Sequence, residues 1–364
     1  MIKDKEMLGI RLLLIFFPIA LFAKLAEWNG LTIFAASALA IVPLAGILGE
    51  ATNDLAKKTG PRIGGLLNAS LGNAAELIIT LVAIRAAEIE LARASITGSI
   101  LGNLLFVLGF SMFLGGIKNG IQKFERHTAS IDSTMTILVV IAISVPSLFS
   151  HYIEPNRLGV EELSLTTAGA MMALYLLSIV YTLRSKSDRE SEAGTGINID
   201  KTEPAESPGS LRKIILLMAF ATIGIAIMSE LLVGSVEVAT KALGLTKFFI
   251  GIIIVPIIGN VSEHLISVQA ARRNQMDLSL SIALGSSLQI ALFVTPLIVF
   301  ISLLLRNPLT LEFNNLELIA LTGASFISAL VSLDGESNWL EGAMLIVVYG
   351  ILGLAFFFLP SSVI

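Results

Sequence analysis

Two short segments each place a carboxylate inside a long apolar run: residues 72–78 (GNAAELI) and residues 259–266 (GNVSEHLI). A carboxylate in the hydrocarbon of a bilayer costs about 3 kcal/mol on insertion scales, and such acids usually mark an ion or proton pathway. Glu76 and Glu263 are therefore the side chains whose type and position point most directly to chemistry. The alternative is that both are structural acids, neutral or hydrogen-bonded within their own helices.

The two segments carry the same oxygen donors around the acid. In each, an asparagine stands three residues before the glutamate and shares its helix face, and a glycine stands one turn before it. Glycine at this depth weakens a helix and frees backbone carbonyls, which only a protein cavity tolerates. Carboxylate, amide and carbonyl oxygens are hard ligands that suit Ca²⁺. The predicted metal ligands are Glu76, Glu263, Asn73, Asn260, Gly72 and Gly259.

Other polar side chains of the apolar runs have less certain roles. Four are candidates to ligate the ion or to orient the glutamates: Ser99, Asn103, Ser286 and Gln289. For these, as for the two motif asparagines, a hydrogen bond between helices is the alternative. Glu50 and Glu237 are candidates for a gate or proton path, or are carboxylates at helix ends. His264 points about 100° away from Glu263 on a helix, which favours a packed, hydrogen-bonded histidine over a proton relay.

The paired acids also predict proton exchange. Without a metal ion, two carboxylates buried near one another cannot both stay ionised, so they should take up protons. A bound divalent cation would displace those protons. One site would then couple the movement of the two ions.

The rest of the chain predicts an all-α integral membrane protein. Of its 364 residues, 55% are hydrophobic and 14% are charged, whereas soluble domains carry about 25% charged residues. Eleven apolar runs are long enough for transmembrane helices. They cover residues 12–26, 31–57, 63–85, 94–116, 131–151, 162–183, 211–242, 246–270, 278–305, 315–333 and 339–360. The first also resembles a signal peptide, but no small-residue cleavage site follows it.

The two segments belong to an internal repeat. The difference in residue number between Gly72 and Gly259, which we call the repeat offset, also relates Gly98-Ser99 to Gly285-Ser286 and residues 105–107 to residues 292–294. We therefore divide the chain into an N-terminal helix (1–29), a five-helix repeat (30–184), an acidic cytoplasmic linker (185–210) and a second five-helix repeat (211–364). Because five is odd, the second repeat is inverted, as in secondary transporters whose site lies at the midplane. With the N-terminus inside, the inner segments hold 17 of the 24 Lys and Arg residues.

Composition argues against several other functions. The chain has no cysteine and three dispersed histidines, so we expect no thiolate or zinc site and no cofactor. A net charge of −4 gives no indication of a nucleic-acid partner, and the lipid bilayer is the expected surrounding. We expect no enzyme, because an intramembrane hydrolase needs a His–Asp or paired Asp constellation. The sequence leaves the oligomeric state open.

The motifs resemble the cation/proton exchanger (CAX) family of the Ca²⁺/cation antiporter superfamily. Residues 72–77, 259–264, 285–289 and 334–342 are similar to segments of that family. The resemblance implies an eleven-span antiporter that exports Ca²⁺ from the cytosol in exchange for H⁺, with Glu76 and Glu263 binding the ions in turn. It also implies a multi-pass protein of the prokaryotic plasma membrane or, alternatively, of a vacuolar membrane. The rivals are an exchanger driven by Na⁺ or preferring Mn²⁺, and a passive cation channel.

Overall fold

The computed structural model describes residues 9–153, 157–192 and 210–360, and eleven helices account for nearly all of them. We number them α1 (Phe16–Leu25), α2 (Gly30–Leu71), α3 (Ala74–Arg85), α4 (Ile89–Asn119), α5 (Arg126–Ile153), α6 (Arg157–Glu192), α7 (Leu211–Leu243), α8 (Lys247–Arg272), α9 (Met276–Leu304), α10 (Asn315–Val331) and α11 (Trp339–Phe357). A 3₁₀ turn, Leu13–Ile15, precedes α1. Two short strands, β1 (Gln122–Lys123) and β2 (Glu336–Ser337), pair antiparallel.

The all-α membrane architecture predicted from composition is confirmed. Within the described ranges, eight helices are long and apolar enough to cross a bilayer. The other three, α1, α3 and α10, have 10, 12 and 17 residues. At a rise of about 1.5 Å per residue, each is shorter than a hydrocarbon core of about 30 Å. The count of eleven spans therefore stays a prediction. Most of the predicted acidic linker, residues 193–209, lies outside the described residues, and α6 continues to Glu192.

The boundary between the second and third predicted spans differs from the expectation. Helical hydrogen bonding continues from Gly30 to Leu71, with no loop between residues 57 and 63. Gly64 nevertheless lies directly against the backbone carbonyl of Ala56. Eight residues of straight helix would separate them by about 12 Å, so α2 must fold back sharply between them. Pro61 lies in this stretch, and proline kinks a helix because it removes one backbone donor.

Three π-helical segments widen the helices in the middle of the molecule. They are Gly102–Val107 in α4, Ile250–Ile254 in α8 and Ile290–Val294 in α9. In α9 the hydroxyl of Thr295 donates to the carbonyl of Ile290 at 2.8 Å, five residues back. An extra residue in a turn changes the direction of every side chain after it, and such segments are frequent at functional sites.

Close backbone contacts join α4 to α11. A methyl group on Gly109 would lie 3.1 Å from the carbonyl oxygen of Gly342, and Gly342 itself lies directly against the backbone of Phe113. Gly116 lies against the backbone of Trp339, one turn before Gly342. Small residues let membrane helices approach closely, so that backbone packing replaces a hydrophobic driving force between them.

The segment before α11 pairs with the segment before α5. The amide of Phe124 donates to the carbonyl of Gly335 at 2.9 Å, beside the β1–β2 pair. Gly335 has a φ of 79°, a left-handed conformation that favours glycine. Asn338 and Glu341 then form a capping box at the start of α11. Residues 334–342, one of the stretches that carried the family resemblance, thus have a clear role in folding.

We predict that two equivalent capping glutamates differ in their contribution to stability. Glu317 in α10 and Glu341 in α11 each cap their own helix. Glu317 is also buried, 2% exposed, and accepts a 2.7 Å hydrogen bond from the Thr97 hydroxyl of α4. Removing a cap costs about 1 kcal/mol, and orphaning a buried partner costs about 1–3 kcal/mol more. Glu317→Ala should therefore lower the melting temperature in detergent clearly more than Glu341→Ala. Equal shifts would contradict the role assigned to the Thr97 contact.

Candidate functional site

The first motif breaks its helix. α2 ends at Leu71, α3 begins at Ala74, and Asn73 between them has φ −98° and ψ 28°, outside helical values. The weakening of the helix that was predicted at Gly72 is thus seen in the first motif. Glu76 lies in the first turn of α3 and is 6% exposed. The N-terminus of a helix carries a partial positive charge, which favours an anionic carboxyl group there.

The second motif leaves its helix intact. The α-helical part of α8 runs from Val255 through Gly259 and Asn260 to Arg272. A methyl group on Gly259 would lie 3.3 Å from Oε1 of Glu76, so the carboxyl group of Glu76 rests on the backbone of α8. Glu263 follows Gly259 by one helical turn on the same side. The fold therefore brings the two motif acids to one place, as the sequence predicted.

Hydrogen bonds tie the first motif to α9 and α4. The amide nitrogen of Asn73 donates to Oε1 of Gln289 at 2.8 Å, and its amide oxygen accepts from the hydroxyl of Ser286 at 2.9 Å. Asn103 of α4 donates to the same hydroxyl at 3.1 Å. Asn73, Asn103 and Ser286 are all buried. Three of the candidate orienting residues thus form one connected network around Asn73.

The second motif makes a similar but weaker connection. The amide nitrogen of Asn260 donates to the hydroxyl of Ser99 on α4 at 3.3 Å and to the carbonyl of Pro256 at 3.0 Å. The repeat offset relates Asn73 to Asn260 and Ser99 to Ser286. The two hydrogen-bonded pairs, Asn73–Ser286 and Asn260–Ser99, are therefore equivalent. Each motif asparagine contacts the serine of the other half of the chain.

Two buried oxygens of the second motif lack a hydrogen-bond partner among the described residues. They are Oδ1 of Asn260 and Oε2 of Glu263. Leaving a buried polar atom unpaired costs about 1–3 kcal/mol, so such atoms require an explanation. Both belong to residues within one helical turn of Gly259, on which the carboxyl group of Glu76 rests. A hard cation between these groups would satisfy all of them, and a proton shared between two of the oxygens would satisfy that pair.

Comparison with known proteins places the chain in a family. The model of the family described as "Sodium/calcium exchanger protein" matches residues 29–184 and 213–358. The chain belongs to this family of exchangers. The membership of the antiporter superfamily that the motifs indicated is confirmed.

Relatives of this exchanger span bacteria and eukaryotes. A "Ca(2+)/H(+) antiporter" of Aphanothece halophytica is 42% identical, and the alignment covers 96% of both chains. "Ca(2+)/H(+) antiporter ChaA" of Bacillus subtilis is 38% identical over 94% of this chain and 96% of that protein. Among solved structures, native YfkE is 34% identical with a TM-score of 0.83, covering 96% of this chain and all of that one. The H⁺/Ca²⁺ exchanger CAX, at 17% identity and a TM-score of 0.73, shows the same fold.

The acids proposed as gates are engaged in ion pairs at the exchanger's surface. Glu50 accepts from Arg11 of the N-terminal segment at 2.7 Å, and Glu237 pairs with Lys241 one turn away at 3.4 Å. All four side chains are more than one-third exposed. These contacts favour the alternative of carboxylates at helix ends, and a gating role stays a prediction.

His264 packs as expected against an aromatic ring. Its imidazole lies 5.9 Å, centroid to centroid, from the ring of Phe106 in the π-helical segment of α4. The expected hydrogen bond is absent at one nitrogen, because Nε2 has no partner among the described residues. The alternative of a proton relay stays untested.

Sequence reasoning missed Glu317. Its side chain is buried and accepts hydrogen bonds from Thr97 and from the backbone amide of Asn314. Arg93 of α4 lies close enough to interact with it electrostatically and donates to the carbonyl of Glu312. Two features of the sequence could have found it: an Asn-x-x-Glu capping pattern before an apolar run, and an acid inside a predicted span.

We predict unequal effects for the two motif asparagines. Asn73→Ala would remove the donor to Gln289 and the acceptor of the Ser286 hydroxyl, which would keep only its bond from Asn103. Asn260→Ala would remove only the weaker bond to Ser99 and a bond to a helix carbonyl. Unpaired buried groups cost about 1–3 kcal/mol, so Asn73→Ala should lower the melting temperature of the detergent-solubilised protein more. An equal or larger effect of Asn260→Ala would contradict this network.

Proposed function

We propose that this exchanger is a secondary antiporter that exports Ca²⁺ from the cytosol in exchange for H⁺, with both ions carried by Glu76 and Glu263. The observation that carries the proposal is the contact of the Glu76 carboxyl group with Gly259, one turn from Glu263. A pair of buried carboxylates at one place has the charge needed to bind a divalent cation. The names of relatives that are 38–42% identical support the choice of ions.

The structure suggests different roles for the six predicted ligands. Oδ1 of Asn260 has no partner in the described part of the chain, and we infer that it coordinates the ion together with the two carboxyl groups. Asn73 uses both ends of its amide in hydrogen bonds, so we infer that it positions α3 and α9 around the ion. Gly259 leaves room for the Glu76 carboxyl group, and Gly72 lies at the break between α2 and α3.

Protons and Ca²⁺ compete for the same oxygens in this proposal. Burying two charged carboxyl groups without a counterion is far more costly than burying them protonated. When Ca²⁺ leaves, the carboxyl groups take up protons. The protonated site then becomes accessible again from the other side of the membrane. The protein changes between its inward-open and outward-open states only when the site holds Ca²⁺ or is protonated. Movement of one ion is therefore coupled to movement of the other.

We further propose that the chain consists of the N-terminal helix 1–29, two inverted five-helix repeats (30–184 and 211–364), and the linker 185–210 between them. Three observations support this division. The repeat offset relates the first residue of α4 to the first residue of α9, and the last residue of α3 to the last residue of α8. The π-helical segments of α4 and α9 also fall at equivalent places. The two stretches matched by the family model coincide closely with the two proposed repeats.

The side-chain contacts support the predicted orientation. Two contacts connect helix ends that the topology places in the cytoplasm: Arg11 with Glu50, and Gln122 with Asn274. Lys247 pairs with Glu88 at 2.8 Å, and this ion pair connects two helix ends that the topology places outside. Each contact joins helix ends that are predicted on one side of the membrane. We propose a prokaryotic plasma membrane as the location of this multi-pass protein.

We predict that neither motif acid can be replaced by its amide. Glu76→Gln and Glu263→Gln should each abolish Ca²⁺ uptake into inverted vesicles under an imposed pH gradient, because the single carboxyl group that remains cannot neutralise a divalent cation. Glu50→Gln and Glu237→Gln are matched controls and should keep most of the activity, since their ion pairs are exposed and contribute little. Exchange retained in both motif variants would remove these acids from the mechanism.

The same assay separates the rival functions. Uptake that requires Na⁺ rather than a pH gradient indicates a Na⁺-driven exchanger. Mn²⁺ taken up in preference to Ca²⁺ in direct competition changes the assigned substrate. Ca²⁺ that never accumulates beyond its own electrochemical gradient, despite a pH gradient, indicates a passive channel.

We predict that Ca²⁺ binding itself releases protons. Adding Ca²⁺ to the solubilised protein in a weakly buffered solution should acidify it, because the cation displaces protons from Glu76 and Glu263. The release should fall in Glu263→Gln and persist in the control Glu237→Gln. Ca²⁺ binding in the wild-type protein with no change in pH would contradict competition at one site.

A further inference from the structure

The two halves of the chain are equivalent in sequence but not in their contacts at the two ends of the molecule. At the end where α4 and α8 begin, the helices touch through their backbones. Gly98 of α4 lies directly against the carbonyl of Ile252, and a methyl group on Gly251 would lie 2.8 Å from Cβ of Ala94. We call this contact, formed by Leu91, Ala94, Gly98, Gly251 and Ile252, the α4–α8 seal.

The equivalent contact at the other end is open. The repeat offset relates Gly98 to Gly285 of α9 and Gly251 to Gly64 of α2. Among the described residues, a methyl group on Gly285 would meet no atom within 4 Å. The nearest neighbours of Gly64 are backbone atoms of Ala56, not residues of α9.

Burial of the equivalent side chains shows the same asymmetry. Leu91 in the α4–α8 seal is 1% exposed, whereas its counterpart Leu278 at the start of α9 is 48% exposed. Ala94 is buried, and its counterpart Ser281 is exposed. Leu278, Ser281 and Gly285 lie on one face of α9, since they are spaced by three and four residues. We call this the open face of α9.

The open face leads to the motif network. Ser286 and Gln289 follow Gly285 on α9 and bind Asn73 beside Glu76. The repeat offset relates Gln289 to Gly102 of α4. A methyl group on Gly102 would also meet no described atom within 4 Å. The open face thus lies on the same helix as the residues that bind Asn73.

We propose that Gly285 is a gating residue: the open face of α9 closes against the Gly64 region of α2 in the opposite transport state, as the mirror image of the α4–α8 seal. This inference rests on the proposed antiporter function and names the residues of its second gate. In the present structure the site is open toward the start of α9, which the proposed orientation places in the cytoplasm. The α4–α8 seal closes the outer end and must separate when α9 closes.

The inference explains why a glycine stands where no neighbour requires one. Gly98 has no room for a side chain in the seal that is closed, whereas Gly285 has room now and would lose it on closure. A side chain at Gly285 should therefore leave this conformation intact and prevent the other.

The first test uses Gly285→Leu in proteoliposomes. Overpacking the closed contact should reduce Ca²⁺/H⁺ exchange about 5- to 150-fold, while the solubilised protein still binds Ca²⁺ in calorimetry. Gly323→Leu is the matched control, because Gly323 in α10 is also helical with no atom within 4 Å, and it should exchange normally. Exchange by Gly285→Leu at the rate of Gly323→Leu would overturn the proposal.

The second test needs neither Ca²⁺ nor transport. The chain has no cysteine, so single Ser281→Cys and Ser95→Cys variants, both nearly isosteric, give unambiguous labelling. A membrane-impermeant thiol reagent should modify Ser281→Cys from the cytoplasmic side only, and should leave Ser95→Cys, 3% exposed near the seal, unmodified. A Ser281→Cys thiol that faces lipid would stay unreactive, because the thiolate needs water, and that result would overturn the proposal.

The two tests also separate this inference from the proposed function. If the wild-type protein exchanges no Ca²⁺ for H⁺, the proposed function fails, and the labelling pattern still decides which end is open. If the wild-type protein exchanges normally and either test fails, the gating role of Gly285 fails alone.

Discussion

The structure depends on holding two carboxyl groups together in the interior of the protein. Such groups are stable there only when a cation or protons neutralise them and fixed polar groups surround them. The broken helix at Asn73 places Glu76 in the first turn of α3, where the helix dipole favours negative charge. The glycine at 259 then lets this carboxyl group rest on α8 near Glu263. Each unusual backbone feature near the site thus serves the acids.

Identical motifs have acquired different local structures. The same Gly-Asn-x-x-Glu pattern interrupts one helix and continues through another. Each end of the Asn73 amide has a hydrogen-bond partner, whereas Oδ1 of Asn260 has none among the described residues. Asymmetry of this kind is expected if two equivalent halves must close at opposite ends in turn, because a single conformation can seal only one end. The asymmetric contacts of Gly98 and Gly285 extend the same difference to the helix ends.

Much of the fold could be predicted because the helices are apolar and long. The spacing of the motifs also predicted that Glu76 and Glu263 would meet, since an inverted repeat places equivalent residues near one centre. The sharp bend of α2 near Pro61 was predicted as a loop, because a proline gives no indication whether helical hydrogen bonding resumes beyond it. The π-helical segments were not predicted, as an extra residue in one turn leaves no mark in an apolar sequence.

Side-chain partners were the least predictable part of the site. Spacing could place Asn73 and Ser286 on helices near the centre, but it could not tell that each end of the Asn73 amide finds a partner. Glu317 was overlooked because a capping glutamate and an intramembrane acid have the same sequence pattern, and only burial distinguishes them.

Helix α4 links the buried site to the closed end of the molecule. Over one short stretch it contributes Arg93 and Thr97 to the Glu317 region, Gly98 to the α4–α8 seal, and the polar residues Ser99 and Asn103 to the two motif networks. A rigid helix cannot move one of these groups without the others, so in the proposed mechanism a change at the Asn260–Ser99 hydrogen bond when the ion binds acts on the seal next to it. Its repeat equivalent α9 carries Ser286 and Gln289 beside Gly285 in the same order. In the proposed mechanism the ion and the two gates are therefore coupled through two helices, with no need for a longer pathway.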